Sequence, residues 1–334
     1  MRRVGALAAA LGVAASAYAA CAEPYRSDGE PSDAGADSNV EDGARSELDA
    51  EATDATDAPD ATPVTSPCNR AAPFGTAKLV AGIDSAFGEF DARLTPDELT
   101  VYFSSNRPGG AGGFDLYTGT RASISDPFSN IRGFAELNST SDDLSLSLNA
   151  GGTVAYFATR RDDDGGLASN IYTASRANPG FAFTNVVPAA GINSSPQNYG
   201  GFLRPDDVLW FASGRLGQGT LGIYTASLPV ALEGGVAARD ELNTAAGYTT
   251  LPVLSADGLT IYFGSSRPPT AGGPDIWMAT RTSTTAKFVN LKRVDELATP
   301  TDDTPCWLSV DECTLYFSNN ASGSYKIYQA RRSL

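Results

Sequence analysis

The chain has 334 residues, 39 acidic against 24 basic side chains, a net charge of −15 and no histidine. An acidic chain without a basic patch is a poor partner for nucleic acid. The absence of histidine removes the commonest general base and the commonest zinc ligand, and no motif points to a metal or a cofactor.

Residues 1–21, "MRRVGALAAALGVAASAYAAC", place Arg2 and Arg3 before a short apolar run, the pattern of an export signal. That run is too short and too alanine-rich to span a bilayer comfortably. "YAAC" resembles a lipoprotein box, with Cys21 as the lipidated N-terminus of the mature chain, although Tyr18 stands where Leu is preferred. Cleavage after "AYA" into a secreted form is the alternative. Residues 22–67 carry 13 acidic residues and two arginines with almost no large apolar side chains. Such a segment cannot bury enough surface to offset its ordering entropy, so it is predicted to be a disordered acidic tether.

From residue 68 onward the chain repeats. An aromatic phrase recurs as Tyr102-Phe103, Tyr156-Phe157, Trp210-Phe211, Tyr262-Phe263 and Tyr316-Phe317, at spacings of 54, 54, 52 and 54 residues. Two further phrases keep step with it. One is Asp115-Leu116-Tyr117 and its counterparts; the other, upstream, includes Ile83-Asp84-Ser85 and Leu137-Asn138-Ser139. Each unit holds four short runs rich in β-branched and aromatic residues, broken by Gly, Pro, Asp and Asn, and "SADG" at Ser255–Gly258 reads as a tight hairpin. No helical period of useful length is present. One four-stranded sheet cannot bury both faces, whereas five around an axis can. The predicted fold is all-β: a five-bladed β-propeller over 68–334, with repeats of about 53 residues at 74–127, 128–180, 181–231, 232–287 and 288–334. The last unit ends at its third strand, and "FGTAKLV" after Cys68 reads as the fourth, so the N-terminal strand is expected to close the ring.

The hairpin phrases "LTPDELTVYFSSNR" and "LSADGLTIYFGSSR" resemble the WD-like repeats of the TolB-type propeller family; units two, three and five are looser, and Asn320-Ala321 replaces the arginine-containing end in unit five. The resemblance covers 68–334 and implies a cell-envelope binding or assembly protein, most simply a monomer.

Within a propeller, the loops from second to third strand and from fourth strand to the next blade share one face. Glycines concentrate there, which makes it the expected binding face. Arg107, Arg161, Arg215 and Arg267 stand four residues past the aligned Phe and could hold carboxylates or acidic sugars, or pair within their blades. Glu89, Asp143 and Asp303 share one position at the start of the innermost strand, where they could act as a glycosidase pair, hold an ion or cap loops. "DDDGG" at Asp162–Gly166 lacks the spaced ligands of a calcium loop and reads as a solvated turn. The Asn-x-Ser/Thr triplets at Asn138, Asn193 and Asn320 read as unmodified turns in a chain with a bacterial-type leader.

If the last hairpin turns at Val310–Glu312, Cys306 falls opposite Leu315 or Tyr316 and not opposite Cys313. Cys68 would enter at the same end of the blade, which favours a Cys68–Cys313 disulfide over free or differently paired thiols. No distinctive catalytic motif is present. The expectation is a non-catalytic envelope protein, exported and anchored through Cys21 to the outer membrane, in the periplasm or at the cell surface. It would bind a protein or other envelope partner through the loop-rich face. A polysaccharide-binding or polysaccharide-active propeller and a purely structural surface protein are the alternatives.

Overall fold

The computed structural model describes residues 68–161, 169–193, 197–217, 220–230, 235–245 and 247–334. The leader, Cys21, the acidic segment and the Asp162–Gly166 turn lie outside them. Among the described residues, twenty strands form five four-stranded antiparallel sheets. The first blade is β2 (Glu89–Leu94), β3 (Thr100–Ser105), β4 (Asp115–Thr120) and β5 (Ser129–Gly133). The second is β6 (Asp143–Leu148), β7 (Val154–Thr159), β8 (Asn170–Ser175) and β9 (Thr184–Pro188). The third is β10 (Asn198–Leu203), β11 (Val208–Ser213), β12 (Gly222–Ser227) and β13 (Val236–Ala238). The fourth is β14 (Thr249–Leu254), β15 (Thr260–Ser265), β16 (Asp275–Thr280) and β17 (Val289–Arg293). The fifth joins β18 (Asp303–Leu308), β19 (Thr314–Asn319) and β20 (Lys326–Arg331) to β1 (Lys78–Leu79), the N-terminal strand. The inner strands β2, β6, β10, β14 and β18 abut one another in a closed ring, so the molecule is a five-bladed β-propeller.

The repeated aromatics are its core. Phe103, Phe157, Phe211, Phe263 and Phe317 are buried at the centre of the second strands, each worth about 2–3 kcal/mol of burial. Four of them meet the Tyr of the neighbouring third strand at centroid distances of 5.7–6.2 Å. The closing strand is shorter than the sequence predicts. Only Lys78↔Gln329 and Leu79↔Tyr328 pair as a ladder, with Phe74 forming an isolated bridge to Arg332.

One feature of the inner strands is invisible in the repeat. Each carries a register shift against its second strand, between Phe90/Arg93, Leu144/Ser147, Tyr199/Phe202, Thr250/Val253 and Pro305/Trp307. Asp91, Ser145, Gly200 and Leu251 take positive φ there, between 48° and 60°. These are β-bulges, which turn the ends of the inner strands about the axis.

Candidate functional site

Among the described residues, the aligned arginines and carboxylates of the loop-rich face are bonded into the fold. The guanidinium of Arg107 lies over Phe103 and Tyr117, Arg161 over Phe157 and Tyr172, Arg215 over Phe211 and Tyr224, and Arg267 over Phe263 and Trp277, at 4.9–5.4 Å from the ring centroids. Each also donates to the carbonyl of an incoming loop, at Ile83, Leu137, Ile192 and Leu242 respectively. These arginines clamp a loop onto an aromatic pair, so the candidate ligand-binding ring is built as a set of internal braces. In the fifth blade Lys326 closes the seam instead, with its Nζ 2.9 Å from Glu89 and 3.1 Å from Asp84.

Glu89, Asp143 and Asp303 are fully buried loop caps. Asp143 accepts from the backbone and hydroxyl of Ser139 at 2.5 and 2.9 Å and pairs with Arg161 at 2.9 Å. Asp303 accepts from both donors of Thr299 and from Asn319 Nδ2 at 2.7 Å. Glu89 accepts from the Ser85 hydroxyl and from Arg107. Hydroxyl-x-x-x-carboxylate is therefore a loop lock. The upstream phrase has a matching role: the side-chain amides of Asn138, Asn193 and Asn243 accept from and donate to the backbone of Leu116, Ile171 and Ile223, riveting each loop to the previous blade.

Burial raises the Asp303 carboxyl from 3.8 to about 6, against the opposing pull of its bonds to Asn319 and Thr299. Between those values the folded chain keeps a proton that the unfolded chain has released. This contribution to stability is full below about pH 4, falls as pH rises to 6 and then levels off, a loss of up to about 3 kcal/mol. Denaturation followed from pH 4 to 7 should show this slope, and Asp303→Asn should flatten it. An unchanged slope in the variant would remove Asp303 as its source.

The repeated "AGG" has a packing cause. A Cβ on Gly112 would stand 2.5 Å from the Ser141 carbonyl oxygen, and one on Gly272 would stand 2.1 Å from that of Pro300. Gly272→Ala is expected to cost about 2 kcal/mol by forcing two loops apart, whereas Gly151→Ala, with nothing nearer than 3.7 Å, should be neutral in the same urea titration.

Cys68 and Cys313 form a disulfide with Cα atoms 5.7 Å apart. Cys306 is a buried free thiol at the register shift of β18. It stands opposite neither Leu315 nor Tyr316, which pair with Leu308 and Trp307, and its Sγ lies 3.0 Å from Ser318 Oγ.

A concave apolar site lies at the other end of the axis. The hairpins joining first and second strands converge there around a cavity of about 230 Å³. Leu94, Leu148, Leu203, Leu254 and Leu308, one from each blade, line it as the last residues of the inner strands. Arg93, Phe202 and Trp307 complete the wall, with the Phe202 and Trp307 ring centroids 6.1 Å apart and the Arg93 guanidinium 5.7 Å from the Phe202 centroid. Sequence reasoning missed this site because it looked to the glycine-rich loops. The signal available was the alignment column Arg93, Ser147, Phe202, Val253, Trp307, where the repeat breaks down.

No family model matches the chain, and no curated protein matches it. Among solved structures it is similar to TolB from Acinetobacter baumannii, at 17% identity and a TM-score of 0.46 over 75% of this chain; it spans only 57% of that protein's length. It is also similar to the α-L-arabinofuranosidase PaAbf62A from Podospora anserina, solved with cellotriose, at 12% identity and a TM-score of 0.47, over 79% of this chain and 98% of that one. A puromycin-hydrolyzing peptidase from Mycobacterium tuberculosis matches at 15% identity and a TM-score of 0.40, over 78% of this chain and 40% of that one. Likenesses this distant select no activity among the three.

Proposed function

We propose that the chain is an exported, membrane-tethered and non-catalytic propeller that binds another component of the cell envelope at the hairpin end of its axis. The observation that carries this reading is the cavity itself, a concave apolar site to which all five blades contribute. The aligned arginines and carboxylates of the loop-rich face support it from the other side, because they are bonded into the blades. The lipobox ending at Cys21 and the acidic tether supply the anchor and the reach.

Two measurements test the reading. Intact mass of the mature chain from membrane fractions should show a diacylglyceryl increment on a chain starting at Cys21; a soluble chain without lipid would overturn the anchor. Crosslinking in whole cells should yield an adduct that Val310→Glu abolishes and Val289→Glu leaves alone. Val310 lines the cavity and is 49% exposed, whereas Val289 is 51% exposed on an outer strand, so neither change should disturb folding. Equal adducts from both variants would move the partner surface elsewhere.

A further inference from the structure

We propose that the axial cavity binds a small carboxylic acid with an apolar body, and that Arg93 anchors its carboxylate. The proposal rests on reading the hairpin end as a binding site and adds the chemistry of the ligand.

Arg93 is 3% exposed and lines the cavity. Its Nη1 is occupied: it lies 2.8 Å from Asp91 Oδ1 and donates to the Cys306 carbonyl. Its Nε and Nη2 are buried without a hydrogen-bond partner. Those two nitrogens form the side-on fork of the guanidinium, which matches the two oxygens of a carboxylate. Two more donors of cavity-lining side chains are buried and unpartnered, Trp307 Nε1 and Arg204 Nη1. A folded protein rarely leaves such donors unmet, because each costs roughly 1–3 kcal/mol.

The electrostatics point the same way. Asp91 is the carboxylate paired with Arg93 through Nη1, on the side away from the Nε–Nη2 fork, and its burial raises its pKa. The remaining walls are mostly apolar, with the five leucines, Phe202 and the Trp307 ring, and carry Thr95, Ser147, Asn149 and Ser255 among them. A fitting ligand is therefore anionic and planar at one end and mainly apolar elsewhere. At about 230 Å³ the cavity admits a body on the order of ten non-hydrogen atoms.

The test uses the full mature chain and two probes of nearly equal shape, 3-phenylpropionate and 3-phenylpropan-1-ol, with binding measured by titration calorimetry. The acid should bind at least about tenfold tighter than the alcohol. Arg93→Lys keeps the charge and the Asp91 pair but loses the fork. It should weaken the acid by about tenfold and leave the alcohol unchanged. Equal affinity of the wild-type protein for both probes overturns the proposal while leaving an apolar binding site standing. Binding of neither probe at about 10 mM overturns it as well. In that case the Val310→Glu crosslinking result separately decides whether the hairpin end binds a partner at all. The wild-type comparison of acid and alcohol decides the matter even if the variant fails to fold.

Discussion

Replacing Cys68 and Cys313 together by alanine should lower folding stability by about 5 kcal/mol and shift the urea midpoint by more than about 1 M. The bond spans 245 residues of sequence, nearly the whole ring, so its loss frees a very large loop in the unfolded chain. The native state supplies little to compensate. The N-terminal latch is two ladder pairs, the bridge at Phe74, and contacts that include Phe74 against Tyr262 at 6.0 Å, Arg332 over Phe74 at 3.9 Å, the Arg70–Glu312 pair, and Asn69, Gly75 and Val80 donating to Ser333, Arg331 and Ile327. Without the disulfide, β1 can detach and expose β20 as a sheet edge. Cys306 is buried and has no described cysteine left to pair with in this variant. The check is equilibrium urea unfolding with and without reductant. Identical midpoints would show that the latch holds by packing alone.

Arg161→Ala is expected to cost about 3–5 kcal/mol, far beyond an ordinary surface substitution. The change removes the stack on Phe157 and Tyr172 and the bond to the Leu137 carbonyl. It also leaves Asp143, buried completely, without its cation. The exposed pair Arg70–Glu312, at 2.9 Å with the arginine 49% exposed, is the natural comparison: Arg70→Ala should cost under about 1 kcal/mol. Denaturation curves of the two variants decide the role of the four arginines. If Arg161→Ala costs no more than Arg70→Ala, these residues are not braces and a ligand role returns to the loop-rich face.

The fold was legible because a propeller must solve the same packing problem five times. The Phe of the second strand recurs in all five blades, the carboxylate cap in three (Glu89, Asp143, Asp303) and the loop-packed glycine in two (Gly112, Gly272), because each meets the same neighbours where it occurs. Phe211 and Phe263 can be aligned without knowing where either sits. The missing fourth strand at the C-terminus and "FGTAKLV" after Cys68 were enough to place the closure, though not its short length.

The same logic bears on the site. Of the two roles that the sequence left open for the aligned arginines, ligand binding and pairing within the blades, the contacts over Phe and Tyr or Trp fit the second. Arg93, Phe202 and Trp307 share one alignment column but not one chemistry, and nothing in the linear chain distinguishes that variation from drift.

Composition, periodicity and the register of the two chain ends determine the five blades and their core, because burial of the strand aromatics is a local demand repeated in the sequence. Only the tertiary structure shows the concave site at the hairpin end of the axis and the buried donors of its lining residues. Bulges at Asp91, Ser145, Gly200 and Leu251, residues with no shared sequence signal, set the geometry of the axis. Arg93, Ser147, Phe202 and Trp307 of that column line one cavity only once the ring is closed.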